Sequence, residues 1–182
     1  MSLRLFAALA LPEDVADRLL ALQAKLPGAL WRPRENLHLT LSFFGDVAEP
    51  VADDLDAALD EAAARIPPFE LSLKGAGAFG GAEPHALWAG VAKSEPLERL
   101  AAACVKAART VRVKPDGRKY APHVTLAYLR GAAAQSVQAY ISRLGLFETR
   151  AFAVESFGLY SSVTRKSGPS LYRLEAEYEL RG

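Results

Sequence analysis

Apolar positions fall in short runs broken by glycine and proline, and their spacing divides the chain into alternating strands and helices. Leu3 to Ala10 is almost continuously apolar and predicts a buried strand. Pro12 to Lys25 predicts a helix: Val15, Leu19, Leu22 and Leu26 keep helical spacing, Pro12 suits a first turn, and Glu13 and Asp14 favour the positive end of the dipole. Pro27-Gly28 closes it. Leu37 to Phe44 alternates as a strand that stops at Gly45. Val51, Leu55, Leu59, Ala62 and Ile66 stripe a second helix, ended by Pro67-Pro68. Strands follow at Phe69 to Lys74 and Ala86 to Val91. Leu97, Leu100, Ala101, Cys104, Ala108 and Val111 mark a third helix, and Val124 to Leu129 another strand. Val137, Ile141 and Leu144 mark a fourth helix that ends at Gly145. Two tail strands, Ala151 to Ser161 and Leu171 to Leu180, meet at the turn-forming Ser167-Gly168-Pro169. The expectation is an α+β protein with residues 1–182 in one domain, without linker, low-complexity tract or repeat array.

The start of the chain bears on compartment. The apolar run after Arg4 covers only Leu5 to Leu11 before Pro12-Glu13-Asp14, so it reads as a first strand and not as a cleaved signal. No run approaches the roughly 20 residues that span a bilayer. Cys104 is the single cysteine, which removes intramolecular disulfides and cysteine-rich zinc sites and fits a reducing, cytoplasmic location. A soluble monomer is expected. The formal net charge is +1, so wholesale electrostatic attraction to nucleic acid is excluded and any such role needs a local basic surface. One segment supplies it. Lys106, Arg109, Arg112, Lys114, Arg118 and Lys119 face only Asp116 in the same stretch.

Candidate chemistry lies in an internal echo. Asn36-Leu37-His38-Leu39-Thr40-Leu41-Ser42-Phe43-Phe44-Gly45 resembles Ala121-Pro122-His123-Val124-Thr125-Leu126-Ala127-Tyr128-Leu129-Arg130. Two of the three histidines thus carry threonine at the second position after them, in a chain with only five threonines. Strand side chains alternate, so His38 shares a face with Thr40, and His123 with Thr125. Leu39 and Leu41 are expected to enter one core, Val124 and Leu126 another. Two such strands across a groove present two imidazoles and two hydroxyls to one small anion. In-line displacement at phosphorus needs this set: a base on the entering oxygen, an acid on the leaving one, and donors on the equatorial oxygens.

With these motifs the chain resembles the two-histidine phosphoesterase superfamily, and within it the RNA 2',3'-cyclic phosphodiesterases, or LigT-like 2'-5' RNA ligases. The likeness also takes in the opening Leu3 to Leu9 strand, Phe44-Gly45, and the tail from Leu159-Tyr160-Ser161-Ser162 through Gly168 to Tyr172. It implies a bilobal fold of two pseudo-twofold related, antiparallel-rich sheets flanked by helices, with the active-site cleft between them and no metal or organic cofactor. It implies hydrolysis of 2',3'-cyclic phosphate ends to 2'-phosphomonoesters on RNA or cyclic nucleotides, with 2'-5' ligation as the reverse. His38 and His123 match the catalytic pair, assigned as proton donor and proton acceptor, and Thr40 and Thr125 match the phosphate-binding hydroxyls. Phe43 matches a nucleoside contact. Tyr128 stands where family members often carry arginine, so either Tyr128 stacks on a base or Arg130 supplies the cation. Arg118 and Lys119 would draw in the RNA end.

Competing readings are weaker. Neither motif has an Asp, Glu or second His at ligand spacing, which disfavours a metal site. A non-catalytic RNA-end-binding module would advertise aromatic platforms and basic stripes, not matched histidine–threonine pairs. His85 lacks the motif and reads as a surface turn residue, Cys104 as packing. Glu49, Asp53, Asp54, Asp56, Asp60 and Glu61 read as a solvated helix face.

Overall fold

A computed structural model describes residues 2–182. In chain order the elements are β1 (Ser2–Ala10), α1 (Glu13–Leu20), β2 (Ala29–Trp31), a single 3-10 turn at Arg34–Asn36, β3 (His38–Ala48), α2 (Glu49–Ala63), β4 (Phe69–Leu71), β5 (Leu73–Phe79), β6 (Ala86–Val91), α3 (Glu95–Thr110), β7 (His123–Leu129), α4 (Ala134–Arg143), β8 (Phe152–Val154), β9 (Ser156–Val163) and β10 (Leu171–Glu179).

Eight strands form one sheet in the order β10-β9-β1-β3-β7-β6-β5, with β2 also paired to β7; β4 and β8 form a separate two-stranded sheet. Every pairing between named strands is antiparallel. The strand set around β3 and the set around β7 meet at a single register pair, Leu39 opposite Val124. That pair gives the two halves a local twofold relation: the residue before Leu39 is His38, and the residue before Val124 is His123. Both Leu39 and Val124 are fully buried. The expected division into two cores is not observed. Leu39, Leu41, Val124 and Leu126 belong to one cluster with Val15 and Leu19 of α1, Leu55 and Leu59 of α2, Leu97, Leu100 and Cys104 of α3, and Val137 of α4. A continuous apolar underside therefore supports both histidine strands, each buried leucine or valine contributing about 1.5–3 kcal/mol.

Several element boundaries differ from the pattern-based reading, each for a local reason. The first helix ends at Leu20, because the amides of Leu22 and Gln23 bond three residues back and tighten the chain out of the α-helix. Likewise α2 stops at Ala63, with Arg65 and Ile66 bonding to Ala62 and Ala63. The expected strand at Phe69 to Lys74 divides at Ser72 into two strands of different sheets, and the tail strand divides the same way at Glu155. Gly45 does not end its strand. Its positive φ of 73° sits where the β1–β3 register shifts, and pairing continues to Ala48.

Part of the acidic face on α2 is in use: Asp56 accepts from the Tyr178 hydroxyl at 2.6 Å, and Asp60 pairs with Arg181 at 2.8 Å. These contacts dock β10 and the end of the chain against α2.

Candidate active site

The two motifs share a structural device beyond their sequence. On β3, His38, Leu39 and Thr40 face Ala10, Leu9 and Ala8; the next pair is Ser42 with Ala7, so Leu41 is an extra residue. On β7, His123, Val124 and Thr125 face Gly90, Ala89 and Trp88; the next pair is Ala127 with Leu87, so Leu126 is an extra residue. Each strand carries a one-residue bulge three positions after its histidine. Strict alternation would put the fifth residue after each histidine on the opposite face from it. The bulge reverses that parity. Phe43 therefore faces Phe6, and Tyr128 faces Ala86, on the same side of the sheet as the histidines and threonines. Continued one residue either way, the Leu39–Val124 register sets His38 opposite Thr125 and Thr40 opposite His123.

Both imidazoles are oriented by the same bond. His38 Nδ1 lies 3.0 Å from the carbonyl of Asn36, and His123 Nδ1 lies 2.7 Å from the carbonyl of Ala121, each two residues back. A carbonyl only accepts, so Nδ1 carries the hydrogen in both rings and Nε2 is left to take or give a proton.

The surroundings then differ. His38 is enclosed by Phe6, with ring centroids 5.0 Å apart, and by the edge of Tyr172 at 5.1 Å, while Tyr160 stacks on Phe6. Burial pulls its pKa down from 6.5 to about 4, opposed by the bond to Asn36 and helped by the charge of Arg32 and by His123. His123 meets Phe79 edge-on at 5.0 Å and Trp88 at 6.5 Å. Trp88 lies over Gly77, where a Cβ would come within 2.3 Å of its ring. Among the described residues, its indole Nε1 is the one buried side-chain polar atom without a partner.

The other expected contacts divide. Phe43 stands on the cleft face with the Arg4 guanidinium over its ring at 5.2 Å, and Tyr128 with that of Arg32 at 4.9 Å. Arg130 is exposed past the end of β7, its amide bonded to the carbonyl of Gly28. Arg118 folds back on Asp116, with Nε 2.8 Å from Oδ2, and Lys119 is exposed. The loop they occupy is tied to the first motif, since the Asp116 amide donates to the carbonyl of Phe43 and the Tyr120 hydroxyl to that of Thr40. His85 is exposed and stacks loosely on Phe79. Cys104 is wholly buried, its thiol pushed up to about 12 by desolvation. No cluster of three or more metal-ligating side chains occurs among the described residues, and no helix there is long and apolar enough to cross a membrane.

Sequence reading missed Arg32 and the rings of Phe6, Phe79, Trp88 and Tyr172. Arg32, between Trp31 and Pro33, offered one signal: a charged residue directly after a short apolar strand.

Two nitrogens free for proton exchange and two hydroxyls on one sheet face make a set able to protonate and deprotonate opposite sides of a phosphate. The family model of the 2'-5' RNA ligase superfamily matches residues 11–165. An RNA 2',3'-cyclic phosphodiesterase of Thermus thermophilus is 33% identical, with 99% of this chain and 91% of that protein covered. The protein of the same name from Aeropyrum pernix is 32% identical over 78% of this chain and 83% of its own length. The crystal structure of E. coli LigT complexed with 3'-AMP superposes with a TM-score of 0.77 at 27% identity, covering the whole of both chains. On the strength of the matched span, the shared fold and the paired motifs, this chain belongs to the 2'-5' RNA ligase superfamily.

Proposed function

We propose that this chain is an RNA 2',3'-cyclic phosphodiesterase that opens cyclic phosphate ends to 2'-phosphomonoesters by two-histidine acid–base catalysis. One observation carries the reading: both motif histidines donate Nδ1–H to the carbonyl two residues back, leaving matched Nε2 atoms on one sheet face beside Thr40 and Thr125. The likeness to the RNA 2',3'-cyclic phosphodiesterases of Thermus and Aeropyrum supports it.

In the proposed reaction the cyclic phosphodiester lies between the histidines. His123 Nε2 takes a proton from water as its oxygen attacks phosphorus. The bond to O3' breaks on the far side, and His38 Nε2 delivers a proton to that oxygen. Thr40 and Thr125 donate to the non-bridging oxygens, which gain charge in the transition state. Phe43 and Tyr128 offer ring faces to the nucleosides, and Arg118 and Lys119 attract the RNA strand. His38, neutral in the free protein, serves as donor once the bound phosphate anion has raised its proton affinity and Nε2 has taken up a proton. Replacing water by a 5'-hydroxyl in the same displacement gives 2'-5' ligation: that oxygen attacks phosphorus as His123 takes its proton, and O3' leaves with the proton from His38. All proton transfers and charge stabilisation are assigned to side chains, so no metal or cofactor is required. We place the enzyme in the cytoplasm as a monomer, which the single buried thiol of Cys104 suits.

The test is direct. Incubation with nucleoside 2',3'-cyclic phosphates in EDTA should yield nucleoside 2'-phosphates, identified by phosphorus NMR. His38→Ala and His123→Ala should each lower turnover by roughly 10²–10⁴ while remaining folded, and His85→Ala should match the parent. A 3'-phosphate product would overturn the regiochemistry. Equal damage from all three substitutions would overturn the catalytic assignment, and binding of RNA ends without turnover would identify a binding module instead.

A further inference from the structure

Arg32 is only 8% exposed, yet no carboxylate among the described residues pairs with it. Nor does any described group hydrogen-bond its guanidinium. Only its backbone is tied down: the amide donates to Leu126 O at 2.8 Å, and the carbonyl accepts from Gln23 Nε2 at 3.3 Å. Removing a cation from most of its water without a counterion costs several kcal/mol. A surface arginine avoids that cost by turning outward, but this one is held in by the Tyr128 ring 4.9 Å from Cζ. Its nitrogens still touch solvent, because Trp88 Nε1 is the sole described buried polar side-chain atom lacking both partner and water contact.

The register says which solvent. One edge of β7 is used twice, by β3 at Val124 and by β2 from Ala127 to Leu129. Arg32 bonds to Leu126, in the interval between them. Thr125 and His38 border that interval, and the Arg32 charge is close enough to lower the proton affinity of His38. Thus an unpaired guanidinium opens onto the face that carries both histidines and both threonines.

We infer that Arg32, stacked on Tyr128, is a substrate-binding residue that takes the phosphate of the substrate through its guanidinium fork. The inference rests on the proposed function for the identity of the anion. Arginine suits the task because its planar donors match two phosphate oxygens at once. Tyr128 then acts as the platform that fixes the plane of the fork, and the absent counterion is the phosphate itself. The arrangement also holds a positive charge near His38 until the anion neutralises it, so substrate binding and recharging of the donor occur together.

Binding separates this inference from the reaction. Inorganic phosphate and a nucleoside 2'-phosphate are titrated by calorimetry into the parent, Arg32→Met and Arg32→Lys, with thermal unfolding checked for each. Arg32→Met should bind both ligands tenfold or more weakly, and Arg32→Lys, which keeps the charge but loses the fork and the stacking plane, should fall between Arg32→Met and the parent. In the Arg32→Met protein, NMR should also find the His38 imidazole titrating at higher pH, a change that loss of packing alone gives only with a lowered Tm. Should Arg32→Met fail to fold, Arg32→Gln, which retains a polar stem, takes its place. Phosphate affinity within twofold of the parent in a folded, charge-free variant overturns the assignment. A parent that binds phosphate through Arg32 but does not open cyclic phosphates instead rejects the proposed function and leaves this site standing.

Discussion

Asn36 and Ser170 lie 134 residues apart in sequence, and the buried Asn36 carboxamide donates to the Ser170 carbonyl at 2.8 Å. The carbonyl of the same asparagine accepts from His38. One residue thus fixes the ring of His38 and anchors the start of β10, whose Tyr172 closes over that ring. Asn36→Ala leaves the Ser170 carbonyl without its donor and should cost about 1–3 kcal/mol of stability. It should also let water reach His38. Proton NMR should then find the His38 titration moved up from about 4 toward the ordinary histidine range. An unmoved titration would mean that Tyr172 does not depend on this anchor.

Acid should weaken the free protein through the same imidazole. Burial lowers the folded pKa of His38 to about 4, against 6.5 for an open histidine. Between these values the unfolded chain binds more protons than the folded one, so stability rises with pH across the window and is lost as pH falls from 6.5 to 4. His38→Gln removes the group, and its Tm should be flatter over that range than the parent's. In kinetics, the acid limb of kcat/KM should lie near 4. The limb of kcat should lie higher, since the bound anion favours the imidazolium.

Gly77 is the seat of Trp88. A methyl group there would come within 2.3 Å of the indole, and the indole packs toward Phe79 at 5.6 Å and His123 at 6.5 Å. Gly77→Ala should therefore displace Trp88 and disturb His123, costing about 1–3 kcal/mol and roughly tenfold in kcat. Tryptophan fluorescence and turnover should change together. A shifted emission with parental kcat would separate Trp88 from the site.

These dependencies explain what the sequence disclosed. His38 with Thr40, and His123 with Thr125, were legible because alternation within one strand is local. The main helices were legible because leucine spacing persists over several turns, as with Leu55 and Leu59. The shared face of Phe43 and Tyr128 was hidden by the bulges at Leu41 and Leu126, where an extra residue leaves no mark in a run of apolar letters. Arg32 was hidden differently. Its solitude follows from β2 occupying the edge of β7, a long-range pairing that three residues between prolines do not announce. The divisions at Ser72 and Glu155 likewise follow from β4 and β8 finding each other.

The basic loop should act through Lys119 more than Arg118. Arg118 is already paired with Asp116, and that carboxylate cancels its charge toward a distant phosphate. Lys119→Gln should weaken RNA-end binding at low salt and reduce the salt slope by about one unit. Arg118→Gln alone should matter less, and Asp116→Ala should tighten binding by freeing Arg118. Fluorescence anisotropy across a salt series reads all three. Tighter binding is the informative sign, since a loop that is merely solvated would leave Asp116→Ala equal to the parent.

The last expectation assigns the proton transfers. The local twofold through Leu39 and Val124 makes the histidines alike in orientation, so position alone does not divide their labour. Environment does not settle it from the pH profile either. Whichever imidazole is the donor, the singly protonated pair varies with pH in the same way, and the bell keeps its shape. A substrate with sulfur in place of the bridging O3' breaks the symmetry, because a thiolate leaves without a proton. With His38 as donor, that substrate should restore His38→Ala to within about tenfold of the parent and leave His123→Ala inactive, the missing base still being needed for water. Rescue of His123→Ala alone would reverse the two roles and make the half-buried His38 the base. Rescue of neither would mean that His38 and His123 act on phosphate oxygens and not on the entering and leaving groups.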